Sequence, residues 1–179
     1  MSRLQALSRE KLSADHQSVW DRVMRGRTAG GGPYGVLMYA PGMAEHFSAA
    51  ENYFRNDGML DAKDKELVIL AVARELGARF PWSRHEVRAH QVGVRREAIE
   101  ALRDNGPLEG LTEHDRLIID VARSLVRERR LPDDLFSCIL AELGPERLVE
   151  LVGLVSHYNM ISSVANVFAL GVPDDTVTF

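Results

Sequence analysis

Residues Leu67-Val68-Ile69-Leu70-Ala71-Val72-Ala73 form the longest apolar run in the chain, and that run constrains the fold more than any other feature. Asp61 before it and Gly77 after it are residue types that start and stop helices, one as an N-cap and one as a left-handed C-cap. They bound a helix over Ala62 to Leu76. A surface helix shows one apolar stripe and one polar face. This one has almost no polar face, so it has to sit at the centre of the core with other elements around it. The run is also far shorter than the roughly 20 residues that cross a bilayer, so those other elements are expected to be protein.

The surrounding elements read as helices too. Apolar residues recur at helical spacing along nearly the whole chain, and strand alternation is nowhere persuasive. Ser13 is a good N-cap for a helix over Ala14 to Arg25, with Val19, Trp20 and Val23 as its apolar stripe. It ends in Gly30-Gly31-Gly32-Pro33, the most flexible stretch by composition. A short segment, Tyr34 to Tyr39, leads to Pro41, which suits the first turn of a helix running to about Arg55 and broken by Asp57-Gly58. After the central helix come one from near Pro81 to Gly93, one over Arg95 to Arg103, and one from a Thr112 cap to about Arg129. Pro132 begins another to Leu143, and Pro145 opens a long last helix to about Leu170, with Pro173 and the residues after it as a tail. The expected fold class is all-α, a single domain of about eight helices. Residues 1–29 read as an N-terminal helical extension and residues 30–179 as the helical domain, in one folding unit.

Composition narrows the partners. A net charge of -4 argues against a nucleic-acid surface, which needs clustered uncompensated Lys and Arg. The densest basic run, Arg127 to Arg130, is interrupted by Glu128 and reads as a solvated helix end. Cys138 is alone, which excludes an intramolecular disulfide or a multi-cysteine metal site within this sequence. Among Leu135, Phe136, Ile139 and Leu140 it reads as a small buried hydrophobe in preference to a reactive thiol. No basic-then-apolar leader opens the sequence, so no secretory signal is expected, and the reducing cytoplasm is the expected compartment.

Three places carry candidate chemistry. Glu66 lies one turn into the central helix; the helix dipole alone would favour a solvent-facing Glu there, whereas a buried one would need a partner. The segment Pro81-Trp82-Ser83-Arg84-His85-Glu86-Val87-Arg88-Ala89-His90 comes second. Its two histidines are five apart, so they diverge by roughly 140° around a helix and cannot clamp one zinc as a pair spaced by four does. No metal is expected. Glu86 and His90 are spaced for a surface i, i+4 pair. His85 shares its face with Trp82, Ala89 and Val92, and is either a hydrogen-bonded core histidine or an acid–base group oriented by Glu66. Third, Ser156, Asn159, Ser163 and Asn166 form one stripe on the last helix. It reads as a helix or subunit contact, or else as a pocket wall with His157 or Tyr158 reaching in.

Together these residues resemble the carboxymuconolactone decarboxylase family, which includes the alkylhydroperoxidase D branch. The family signature is a helix with Glu, then a helix carrying Cys-x-x-Cys-x-x-x-His and a Gly eight positions after the His. Glu66, His85 and Gly93 stand at matching positions, with Ala78 and Pro81 where the cysteines would be. A cysteine-free branch reads aromatic-Glu-Trp-x-x-His-Glu, which Phe80, Trp82, His85 and Glu86 match, with Pro81 in place of its Glu. Gly32-Pro33-Tyr34 resembles that branch's Gly-Pro-aromatic loop, and His157-Tyr158, Asn166 and Val172-Pro173 resemble its last helix and tail.

The resemblance implies an alkylhydroperoxidase D-like fold of helices in antiparallel pairs, assembled as a homo-oligomer, trimer or hexamer. It implies a lyase or isomerase that needs no cofactor and acts on a small carboxylated or lactone-like metabolite. His85 would be the general acid/base and Glu66 its orienting partner, with Trp82, Tyr34 and His157 as pocket walls and Arg88 on a substrate carboxylate. The alternative is a non-catalytic binding or assembly protein on the same fold. A thiol peroxidase needs a thiolate and a resolving partner, and Ala78 and Pro81 supply neither. The purified protein is therefore expected not to reduce organic peroxides with any dithiol donor. Turnover above the buffer rate that survives Cys138→Ser would contradict this.

Overall fold

The computed structural model describes residues 2–27, 32–172 and 178–179. Gly30, Gly31 and Pro173, read above as flexible stretch and tail, lie outside the described residues. The described helices are α1 (Ala14–Val23), α2 (Pro33–Leu37), α3 (Pro41–Asn52), α4 (Ala62–Glu75), α5 (Arg79–Val92), α6 (Arg96–Arg103), α7 (Glu113–Glu128) and α8 (Asp133–Val167). A 3-10 turn, Arg9–Lys11, precedes α1, and a π-helical turn, Tyr53–Asp57, extends α3.

The apolar run forms α4 as its end residues dictate. The Asp61 carboxylate accepts from the Lys63 amide at 2.8 Å and caps the N-terminus. At the other end the Ala78 amide donates to the Ala73 carbonyl at 2.8 Å and the Gly77 amide to Arg74 at 3.2 Å. This is a Schellman stop, and it needs the φ of +61° that Gly77 supplies. Leu67 through Ala73 are all buried, against α5, α7, α8 and α6. The tight turn at Gly77 folds α5 back along α4 as an antiparallel pair, which sets their facing side chains against each other. Polar groups on α4 and its neighbours lock the bundle. His114 on α7 stands 2.8 Å from Asp64 of α4 and 2.8 Å from Glu142 of α8.

Several local expectations are corrected. Helix α1 is shorter than expected, and Ser13 stands at its N-cap without a side-chain cap bond, while Val19, Trp20 and Val23 form the expected apolar stripe, with Val23 fully buried and the other two packed on the core. Helix α5 starts at Arg79, leaving Pro81 in the first turn, where its missing amide hydrogen costs nothing. The two expected C-terminal helices, one to Leu143 and one opened by Pro145, are found as the two parts of α8, separated at Gly144 by its φ of 76° and ψ of 169°. Cys138 is exposed instead of buried, because it falls on the outer face of α8 beside exposed Phe136. Glu86 does not form a surface pair with His90. It is buried and points to Arg103 at 3.9 Å, while His90 alone faces outward. In the polar stripe Ser156, Ser163 and Asn166 are exposed and Asn159 half-buried, so the stripe is no pocket wall; Asn166 donates to the Leu76 carbonyl at 2.8 Å and helps close α4. No helix among the described residues is long and apolar enough to cross a membrane.

One carboxylate fixes the segment that follows α3. Glu150 of α8 accepts from the Tyr53 hydroxyl at 2.6 Å, the Met59 amide at 2.7 Å and the Leu60 amide at 3.1 Å. Burial pushes this carboxyl up, but those three donors together with Lys65 outweigh it and hold its pKa below the usual value. Its stabilising contribution is therefore present above the unfolded carboxylate pKa and lost as pH falls through the lower folded one. Glu150→Ala is expected to cost about 2 kcal/mol by urea denaturation at neutral pH, through the amides it strands. The gap to wild type should narrow as the solution is acidified. An unchanged midpoint at neutral pH would contradict the anchoring role.

Candidate active site

His85 lies midway along α5, and α4 brings Glu66 to it. His85 Nδ1 is 2.7 Å from Glu66 Oε2, with 7% of the histidine side chain and 12% of the glutamate side chain exposed. A carboxylate accepts, so Nδ1 is the nitrogen placed to donate to Glu66 and, in the neutral ring, Nε2 is the one placed to accept. On that second nitrogen stand the Tyr158 hydroxyl of α8 at 3.1 Å and the Arg88 guanidinium, one turn along α5, at 3.4 Å. Of the expected site residues, Glu66, His85 and Arg88 are thus brought together.

They face a cavity of about 280 Å³. Glu66, His85, Arg88 and Tyr158 line it together with Glu51, Arg55 and Lys65, and Phe54, Ile69, Val92 and Leu154 supply apolar wall. Arg88 is half-buried and makes no ion pair among the described residues. Burial, then the nearby Arg55 charge, lower its pKa, so it is a cation short of counter-charge beside a histidine. Burial first, and Glu51 next, push the Tyr158 phenol up, which keeps it protonated at neutral pH.

Trp82, Tyr34 and His157 do not line this cavity. Trp82 is wholly buried in the core, edge-on to Phe179 at 5.2 Å. Tyr34 and His157 sit behind the cavity around Glu51. The Arg27 guanidinium lies 3.7 Å over the Tyr34 ring and 3.0 Å from Glu51, and Arg55 is also 3.0 Å from Glu51. His157 Nε2 is 3.9 Å from Glu51, in electrostatic reach but too far for a direct hydrogen bond. Burial raises the Glu51 carboxyl, but His157 and the two arginines outweigh it and hold the group ionised far below the usual carboxylate range. Tyr34 and His157 therefore help build the support behind the cavity, and Trp82 belongs to the core.

Sequence reasoning missed Glu51 and Arg55 and left Tyr158 as one of two candidates. Glu51 and Arg55 are spaced like any exposed i, i+4 pair, and nothing local announces that Arg27 makes Glu51 a buried hub. Tyr158 carried a signal, since it sits next to the polar stripe but one position off it, on the inward face.

His85 and His114 make an instructive contrast. Each meets a carboxylate of α4, but His114 has carboxylates on both ring nitrogens, a clamp with no free edge. His85 spends only one nitrogen on a carboxylate and turns the other toward the cavity. Among the described residues no group of three or more His, Cys, Asp or Glu could hold a metal ion. The two positions that match cysteines in the resemblance, Ala78 and Pro81, are buried and carry no nucleophile.

Known proteins share this architecture. Residues 41–126, which span α3 to most of α7, match the Carboxymuconolactone decarboxylase family. An uncharacterized peroxidase-related protein from Ralstonia eutropha JMP134 with an alkylhydroperoxidase AhpD core is 14% identical. It superposes with a TM-score of 0.78 over 97% of this chain and 93% of that one. The debrominase Bmp8, solved with 2,3,4-tribromopyrrole, is 12% identical, with a TM-score of 0.76 over 97% of this chain and 93% of that one. A protein of unknown function from Agrobacterium tumefaciens is 20% identical, with a TM-score of 0.69 over 78% of this chain and 97% of that one. At these identities the likeness shows the fold. No curated protein matches the chain. Residues 41–126 thus match the carboxymuconolactone decarboxylase family, and the chain shares the AhpD-like all-α fold.

Proposed function

We propose that the protein is a lyase or isomerase working by His85 general acid–base chemistry, without a cofactor, on a small carboxylated or lactone-like metabolite. One observation carries the reading. A histidine held by a carboxylate on one nitrogen meets the Tyr158 hydroxyl with the other at the edge of a cavity, next to an arginine that makes no ion pair among the described residues.

Each part has a chemical use. Loss of carbon dioxide from an unsaturated acid, or movement of its double bond, requires a proton added to or removed from a carbon beside a conjugated carbonyl. His85 and its neighbours supply the proton path, and Glu66 steadies the imidazolium that forms. Arg88 offers charge to a carboxylate or to the developing enolate oxygen. A histidine–carboxylate pair at the edge of a cavity favours this reading over an assembly protein, for which a filled core would be expected. A disulfide peroxidase cycle would need thiols, which the matching positions lack.

A panel of lactones and muconate-like acids, followed by absorbance and NMR, tests this. On any member turned over, His85→Gln is expected to lose roughly 10²–10⁴-fold in turnover, with binding changed far less. His90→Gln should stay near wild type, because that side chain points into solvent. The reverse pattern, with the His90 variant dead and the His85 variant active, would refute the assignment.

A further inference from the structure

Both ring nitrogens of His85 are already engaged, and this determines which atom a bound molecule meets. Nδ1 is held by Glu66 at 2.7 Å and Nε2 by the Tyr158 hydroxyl at 3.1 Å. The Tyr158 ring packs edge-on against His85 at 5.0 Å and against His157 at 5.5 Å, with only 4% of the residue exposed. Packing on two sides leaves the phenol little freedom to swing away and uncover Nε2. The hydroxyl donates its hydrogen to Nε2, and its oxygen keeps lone pairs for a neighbour in the cavity that Tyr158 lines.

We propose that the Tyr158 hydroxyl, backed by His85 and Glu66, is the group that exchanges the proton with the bound molecule, and that Arg88 holds the oxyanion formed. The molecule is a carbon acid whose exchangeable C–H lies next to a carbonyl or carboxylate. This rests on the acid–base reading above and names the atom that carries it out. In the forward step the substrate C–H bond breaks, and its proton joins the Tyr158 oxygen while the hydroxyl's own proton passes to His85 Nε2. The C–H electron pair moves into the carbonyl to give an enolate against Arg88. The ring then carries protons on both nitrogens as an imidazolium, balanced by Glu66. Run in reverse, the relay returns a proton to carbon, including a carbanion left by departing carbon dioxide. Nothing is oxidised or reduced. The phenol stays neutral at rest, because burial and then the Glu51 charge disfavour phenolate, so protons pass through it without a stable anion.

The test is solvent exchange. Members of the lactone and muconate-like panel are incubated with enzyme in heavy water, and carbon-bound deuterium is followed by proton NMR. Wild type is expected to exchange at least one of them. Tyr158→Phe, which keeps the ring, should slow exchange about hundredfold or more, like His85→Gln. The double variant should lose no more than either single one, as groups acting in one unit do. KM should hardly move, whereas a merely structural tyrosine would change the melting temperature and leave the chemical step. Exchange retained within a few fold in Tyr158→Phe but lost in His85→Gln overturns the relay and leaves the acid–base reading standing. Exchange retained in His85→Gln, or absent from wild type with the whole panel, overturns both. Should Tyr158→Phe fail to fold, the four tyrosines are replaced by 3-fluorotyrosine, which acidifies the phenol and keeps its shape. The exchange rate at a fixed neutral pH should then change severalfold, because the acidity of the relaying phenol has changed, and an unchanged rate overturns the relay.

Discussion

Burial of α4 on every side, from Leu67 to Ala73, is the constraint on which the other elements depend. Each large aliphatic side chain removed from water contributes roughly 1.5–3 kcal/mol, and a helix without a polar face gains this only if neighbours surround it. Helices α5, α7 and α8 do so. The same enclosure puts the two acidic side chains near the start of α4 under a strict demand, because a carboxylate leaving water must be paired. Asp64 and Glu66 each take a histidine from a different neighbour. One pair becomes a clamp between helices, and the other becomes the only one of the two with a ring edge on a cavity.

Support for that cavity comes from a layer of charge at and behind its wall. Glu51 gathers Arg27, Arg55 and His157 behind the wall, with the Tyr34 ring stacked under Arg27. A buried carboxylate shared by two guanidiniums adds little net stability compared with an apolar core, but breaking it would strand charge. Its effect is to fix where the Arg55 charge stands relative to Arg88, and so to keep the cavity cationic next to the histidine. Glu150 does a similar job for the turn carrying Phe54 and Arg55, through its hold on Tyr53, Met59 and Leu60.

Much of this was legible in the chain, and the failures have a common cause. The helix order, the enclosed α4, the Asp61 and Thr112 caps and the Gly77 stop follow from local chemistry, where each residue's preference agrees with its neighbours. Glu66 and His85 were legible because an inward helical face is a local property, and Arg88 because it follows His85 by one helical turn. Trp82, Tyr34 and His157 were placed at the cavity by resemblance, yet lie in the core or behind Glu51, since depth along an inward face depends on how helices cross. Cys138 and Glu86 erred in opposite directions for the same reason. One stands among apolar neighbours but on the outer side of α8, and the other looks like a surface charge until Arg103 arrives from α6.

The central claim is that Glu66 fixes the protonation pattern of the His85 ring and so aims one lone pair at Tyr158 and the cavity. Long-range proton–nitrogen correlation NMR on nitrogen-15-labelled protein reads that pattern directly, with His85 assigned by its loss in His85→Gln. With the ring neutral, the account predicts the proton on Nδ1 and an Nε2 that accepts a hydrogen bond, and a loss of that preference in Glu66→Ala. A neutral ring with its proton on Nε2, or a pattern indifferent to removal of Glu66, would contradict it.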